Sequence, residues 1–141
     1  MTASEFAYRL GEAVRRPASW WQLVKFGFVG GSGYLINLAV FALLRGDLGM
    51  HQALAAVGAF CVAVTSNFFW NRHWTFAATD GHAGFQAARF FAISIGALAV
   101  NLIILEALVM ATSLGDLSAQ AIAVAVAMPF NFLGNKLWTF A

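Results

Sequence analysis

Four stretches of this chain run close to twenty residues without an ionised side chain. Phe26–Leu44 has 19 residues of this kind and Met50–Asn71 has 22. Phe90–Leu105 is followed by a single acid, Glu106, before the run resumes to Gly115, and Leu117–Asn135 adds 19 more. Each approaches the roughly 20 residues that a helix needs to span about 30 Å of hydrocarbon. A helix buried in a soluble core keeps a polar face, and these stretches have almost none. The composition agrees, with 61% hydrophobic and 10% charged residues against roughly 25% charged in an ordinary soluble domain. The sequence predicts an all-α membrane protein of four transmembrane helices.

The basic residues orient it. Arg9, Arg15, Arg16 and Lys25 precede the first stretch, Arg72 and Arg89 flank the second connection, and Lys136 ends the fourth stretch. Only Arg45 falls on the other side, where Asp47 and Asp116 occupy two short loops. That bias places both termini in the cytoplasm. The net charge of +2 is too small to argue for nucleic acid. No basic segment, apolar core and cleavage site follow one another at the N-terminus, so no removable signal peptide is expected. Cys61, the one cysteine, lies inside a predicted span, where packing is its expected role.

Residues 1–21 read as a cytoplasmic, interfacial segment ahead of a transmembrane domain at 22–141. Phe6, Leu10 and Val14 recur at i, i+4 and i+8, with Glu5, Arg9, Glu12 and Arg16 elsewhere on the wheel. This predicts a short amphipathic helix on the inner leaflet, with Ser4 as N-cap and Pro17 closing it. A frayed tail is the alternative. Trp20 and Trp21 sit where interfacial aromatics belong.

The transmembrane region is duplicated. Asn67-Phe-Phe-Trp-Asn71-Arg72-His-Trp74-Thr75-Phe76 returns as Asn131-Phe-Leu-Gly-Asn135-Lys136-Leu-Trp138-Thr139-Phe140, an offset of 131 − 67 = 64. Residues 25–77 laid over 89–141 match without a gap at 15 of 53 positions. The outer connections are short and the central one, Trp74–Phe85, is long, so each half is a two-helix hairpin that starts and ends on the cytoplasmic side. Two such hairpins share one orientation, a parallel repeat about an axis along the membrane normal. Gly27 and Gly31 form a small-xxx-small pair in the first span, read as helix packing.

No Ser/His/Asp set, Cys/His set or paired carboxylates are visible, so neither an enzyme nor a metal or cofactor site is expected. His51, His73 and His82 lie in or beside loops as interfacial polar residues. Asn37 and Asn101 follow their basic partners, Lys25 and Arg89, by 12 residues, about 18 Å along a helix and so near mid-membrane. A carboxamide there needs partners. The pair either bond each other across the repeat axis or line a polar translocation path. Asn67 and Asn71, like Asn131 and Asn135, share a helix face at i, i+4. With Lys25, Arg72, Arg89 and Lys136 they form a set suited to a lipid phosphate, since Arg forks onto phosphate oxygens and Lys offers a compact charge. Snorkelling to anionic lipid explains the cations alone; it does not explain paired amides in both halves. Glu106 either pairs with Arg45 or carries a coupling proton. A small multidrug exporter wants a carboxylate central to the bundle, which Glu106 does not supply.

Lys25-Phe26-x-x-Val29-Gly30, Asn37, both Asn-Phe-x-x-Asn-[Arg/Lys]-x-Trp-Thr-Phe segments and Arg89-Phe90 together resemble the GtrA-like family over roughly residues 22–140. The resemblance implies a bacterial inner-membrane protein of polysaccharide synthesis. Such proteins are held to flip a polyprenyl-phosphate-linked sugar, such as undecaprenyl-phosphate glucose, to the outer leaflet. Other members of the family anchor a glycosyltransferase partner or handle the bare lipid phosphate. Four short helices enclose little space, so a homo-oligomer is expected.

Overall fold

The structure, a computed structural model, describes residues 2–141, the side chains of residues 52, 53, 116 and 117 excepted. The side chain of Asp116, expected in an outer loop, is thus outside the described residues. Every regular element among the described residues is helical. Five α-helices follow one another: α1 (Ala3–Arg15), α2 (Pro17–Ala42), α3 (Gln52–Trp70), α4 (Ala83–Ala111) and α5 (Asp116–Gly134). α2, α3 and α5 each run on into a five-residue π turn, at Leu43–Asp47, Asn71–Thr75 and Asn135–Thr139.

Among the described residues, three segments are long and apolar enough to cross a membrane: Pro17–Asp47, Leu54–Thr75 and Ala83–Ala111. α5 covers the fourth predicted stretch but is not among them. Gln120, Pro129 and Asn131 make it the least apolar of the long helices.

α1 forms where the periodicity places it, with different ends. Thr2, not Ser4, is the N-cap: its hydroxyl accepts from the Glu5 N–H at 3.2 Å, and Glu5 accepts from the Thr2 N–H at 2.7 Å. This capping box satisfies two donors that a helix start leaves open, and the bonds from Thr2 hold the Glu5 carboxyl below its ordinary pKa. Pro17 does not close α1 but begins α2. Proline fits that first position because its missing N–H would be unpaired there anyway. The only break between the two helices is Arg16, extended at φ −78° and ψ 126°.

The chain divides into two compact units. The first is Trp20–Thr79, holding most of α2, then α3 and its π turn. The second joins everything up to Ser19 with Asp80–Ala141, holding α1, the first turn of α2, α4 and α5.

Within each unit one helix buries a ladder of alanines at every fourth residue. In α3 these are Ala55, Ala59 and Ala63, and in α5 Ala119, Ala123 and Ala127. Each α5 position lies 64 after its α3 counterpart. Small side chains let helix backbones approach closely where no hydrophobic drive joins helices in lipid, and α5 packs along α4. The ladder then changes chemistry without changing step: Asn67, Asn71 and Thr75 continue it in one unit, and Asn131, Asn135 and Thr139 in the other. A four-residue step advances the face by about 40° on an α-helix. The wider π turn, closed by Phe76 N–H on the Asn71 carbonyl and Phe140 N–H on the Asn135 carbonyl, each 2.9 Å, turns the face back. That keeps the threonines on the buried side.

Candidate functional site

The two π turns present the same chemistry. Asn71, Thr75, Asn135 and Thr139 are 2%, 3%, 0% and 1% exposed. The Oδ1 of each asparagine and the Oγ1 of each threonine have no hydrogen-bond partner in the chain. An unmet buried polar atom costs about 1–3 kcal/mol, so these oxygens are expensive for the fold alone. π turns of this kind occur frequently at functional sites.

A cation from the neighbouring helix sits over the end of each turn. In the first unit Lys25 Nζ donates to the Trp74 carbonyl at 3.5 Å and lies 5.2 Å from the centre of the Trp74 ring, 6.0 Å from that of Trp21. In the second, Arg89 Nη1 donates to the Trp138 carbonyl at 3.2 Å, with the guanidinium 5.6 Å from the Trp138 ring. Both cations meet carbonyls at the negative end of a helix, where they stabilise it. The aromatic pairs beside them match as well: Phe26 and Phe76 are 6.2 Å apart, Phe90 and Phe140 6.1 Å.

The other two predicted cations differ from one another. Arg72 Nη2 donates to the Thr79 carbonyl at 3.0 Å, in a chain reversal that holds Ala77 at φ +48° and closes with Ala78 N–H on the Arg72 carbonyl at 2.8 Å. Lys136 Nζ donates to the Ser19 hydroxyl at 2.7 Å and lies 5.6 Å from the Phe132 ring. Lys136 falls just past the fourth apolar stretch. Burial lowers its pKa, and the Arg16 guanidinium nearby lowers it further.

The outer pair of amides also differ. Asn135 Nδ2 donates to both the carbonyl and the Oδ1 of Asn131, each at 2.9 Å. Asn67 instead lies against the backbone of α2 at Gly33, with its Oδ1 buried and unpartnered. A methyl on Gly33 would fall 2.7 Å from the carboxamide carbon. Gly33→Ala should therefore lower stability by about 1–2 kcal/mol, the overpacking cost exceeding a helix-propensity gain of about 1 kcal/mol. Adding Asn67→Ala should restore the loss. Unfolding in detergent measures this, and additive effects of the two changes would refute the contact.

Of the mid-membrane pair, Asn37 is half-buried on α2 and Asn101 half-buried on α4, the latter with an unpartnered Oδ1. Glu106 stands exposed on α4, while Arg45 donates to the Met50 carbonyl at 3.0 Å. Sequence reasoning had passed over Thr75, Thr139, Gly33 and Ser19 as site residues. The signal for the threonines was present as the unbroken four-residue ladder, repeated at the same offset.

The family model for the GtrA/DPMS transmembrane domain matches residues 25–140. An uncharacterized membrane protein of Bacillus subtilis (strain 168), YngA, is 29% identical over 140 residues, covering 99% of this chain and 93% of that protein. A dolichol-phosphate mannosyltransferase of Pyrococcus furiosus is 31% identical over 123 residues, covering 85% of this chain but only 34% of the enzyme. The chain therefore spans about a third of that second relative.

Proposed function

We propose that this chain, which belongs to the GtrA/DPMS transmembrane-domain family, moves a polyprenyl-phosphate-linked sugar from the cytoplasmic to the outer leaflet of a bacterial inner membrane. On this reading it has four membrane-spanning helices in two repeats of one orientation, with both termini cytoplasmic. It performs no catalysis itself and acts as a homo-oligomer. The observation that carries the proposal is the row of buried, unpartnered oxygens at Asn71, Thr75, Asn135 and Thr139, each row beside a cation. A phosphate wants the cation, and sugar hydroxyls are donors that such oxygens accept. A charge within the membrane interior costs several kcal/mol, so groups that replace water around a phosphosugar are what transit requires. Asn37 and Asn101 extend the same polar chemistry toward mid-membrane.

Proteoliposomes carrying a fluorescent polyprenyl-phosphate-sugar test this through a membrane-impermeant quencher. The protein should speed flipping over protein-free vesicles, and Lys136→Ala should slow it at least tenfold. No acceleration would overturn the proposal.

A second reading is favoured by the Pyrococcus enzyme, in which the matched region makes up 34% of a longer mannosyltransferase. On that reading the chain anchors a glycosyltransferase at the inner leaflet. Co-purification with such an enzyme, undiminished by Lys136→Ala, would support it.

A further inference from the structure

The two units repeat one another in ladder, π turn, cation and aromatic pair, and they part at the mouth of the site. We infer that the lipid phosphate is received on one side only, in the corner where Arg16, Ser19 and Lys136 meet, and not at Arg72. This rests on the proposed function and adds two binding residues and a location to it.

The corner is built by the junction of α1 and α2. The Arg16 carbonyl accepts from the Ser19 N–H at 2.9 Å, which fixes the two residues relative to each other. Ser19 is 3% exposed and its hydroxyl holds Lys136 Nζ at 2.7 Å. A hydroxyl both donates and accepts, so the same group that accepts from Lys136 can turn its proton to a phosphate oxygen. Arg16 is close enough for its charge to disfavour the Lys136 ammonium. Arg16 Nη2 donates to both Glu12 carboxylate oxygens, at 3.1 and 3.0 Å. Nη1 remains a donor that can reach a phosphate oxygen. An anion at the Lys136 ammonium favours its charged form, which burial and Arg16 disfavour.

The other mouth lacks this chemistry. Moving 64 residues along the chain replaces Arg16 by Asp80 and Ser19 by Ala83. In sequence register a carboxylate thus corresponds to the second cation, and a methyl to the hydroxyl. Arg72 itself spends Nη2 on the Thr79 carbonyl, a bond that ties down the reversal after its own helix. Phosphate would have to displace that carbonyl. The offset that makes the halves alike elsewhere here makes one of them a binding mouth and the other a structural tie.

Native mass spectrometry of the full chain in mild detergent, titrated with a C55 polyprenyl phosphate beside phosphatidylglycerol and inorganic phosphate, decides the matter. Arg16→Gln, Ser19→Ala and Lys136→Gln should each weaken polyprenyl-phosphate binding about tenfold, the scale of one charge-assisted hydrogen bond. Arg72→Gln should leave it within about twofold, and Lys136→Arg should restore most of the lost binding. Melting of each variant in detergent separates lost binding from lost fold. A loss at Arg72→Gln with Arg16→Gln and Ser19→Ala binding as wild type would overturn this assignment alone. Wild-type binding of inorganic phosphate as tight as the lipid would overturn the lipid as its ligand. No preference of the wild type for polyprenyl phosphate over phosphatidylglycerol would overturn the assignment together with the function it rests on.

Discussion

Ala59→Leu and Ala123→Leu should each lower stability by about 3 kcal/mol, the upper end of what overpacking costs. Both alanines are fully buried in the middle of their ladders, so three added carbons have nowhere to go without separating the helices. The same enlargement at Ala56 and Ala125, which are exposed on the same two helices, should change stability by no more than about 0.5 kcal/mol. Equilibrium unfolding in mixed detergent measures all four. If the buried and exposed substitutions cost the same, the ladders are not the contact that holds each helix in place. Because the ladder positions carry no polar group, the loss should appear in stability first and in transport only through it.

The threonines at the far end of the ladders should behave in the opposite way. Thr75→Val and Thr139→Val keep the shape of the side chain and remove a buried hydroxyl that has no partner in the chain. Removing an unmet polar group lifts its desolvation penalty, so each change should raise stability by about 1 kcal/mol. If these hydroxyls serve the passing sugar, the double variant should nonetheless flip at least tenfold more slowly than wild type. Opposite signs in the two measurements mark a residue retained for function at the expense of the fold. A double variant that is more stable and transports normally would leave the hydroxyls without a role in transport. One that is less stable would mean that they bond within the protein.

The helical class was legible because stretches near twenty residues without a charge admit few other structures, and the family was legible in the two Asn-Phe-x-x-Asn segments. The amphipathic helix at the N-terminus was readable from Phe6, Leu10 and Val14. Its boundaries were not, because Thr2 competes with Ser4 for the cap and proline serves equally after one helix or at the start of the next. Lys25 and Arg89 were read as two members of a phosphate set. Their contacts with the Trp74 and Trp138 carbonyls depend on the π turns, and nothing in local composition announces a π turn. Gly33 was hidden for a similar reason. It looks like any other glycine in a glycine-rich helix until Asn67 is placed against it. What separates Lys136 from Arg72 is also invisible to a matching of repeats, since it comes from residues ahead of the first copy.

The contact between Ser19 and Lys136 joins residues 117 positions apart, whereas Lys25–Trp74 and Arg89–Trp138 each span 49. On a ribosome adding about 5–20 residues per second, Ser19 emerges roughly 6–23 s before the lysine that it will hold. Trp74 arrives in less than half that wait, so the first hairpin can close while the N-terminal corner still has no counterpart. The corner is therefore completed well after the first hairpin has the residues that it needs. A chain stalled between Thr79 and Lys136 would carry the whole first unit and an unfinished corner, so closure of the corner reports that synthesis has passed Lys136.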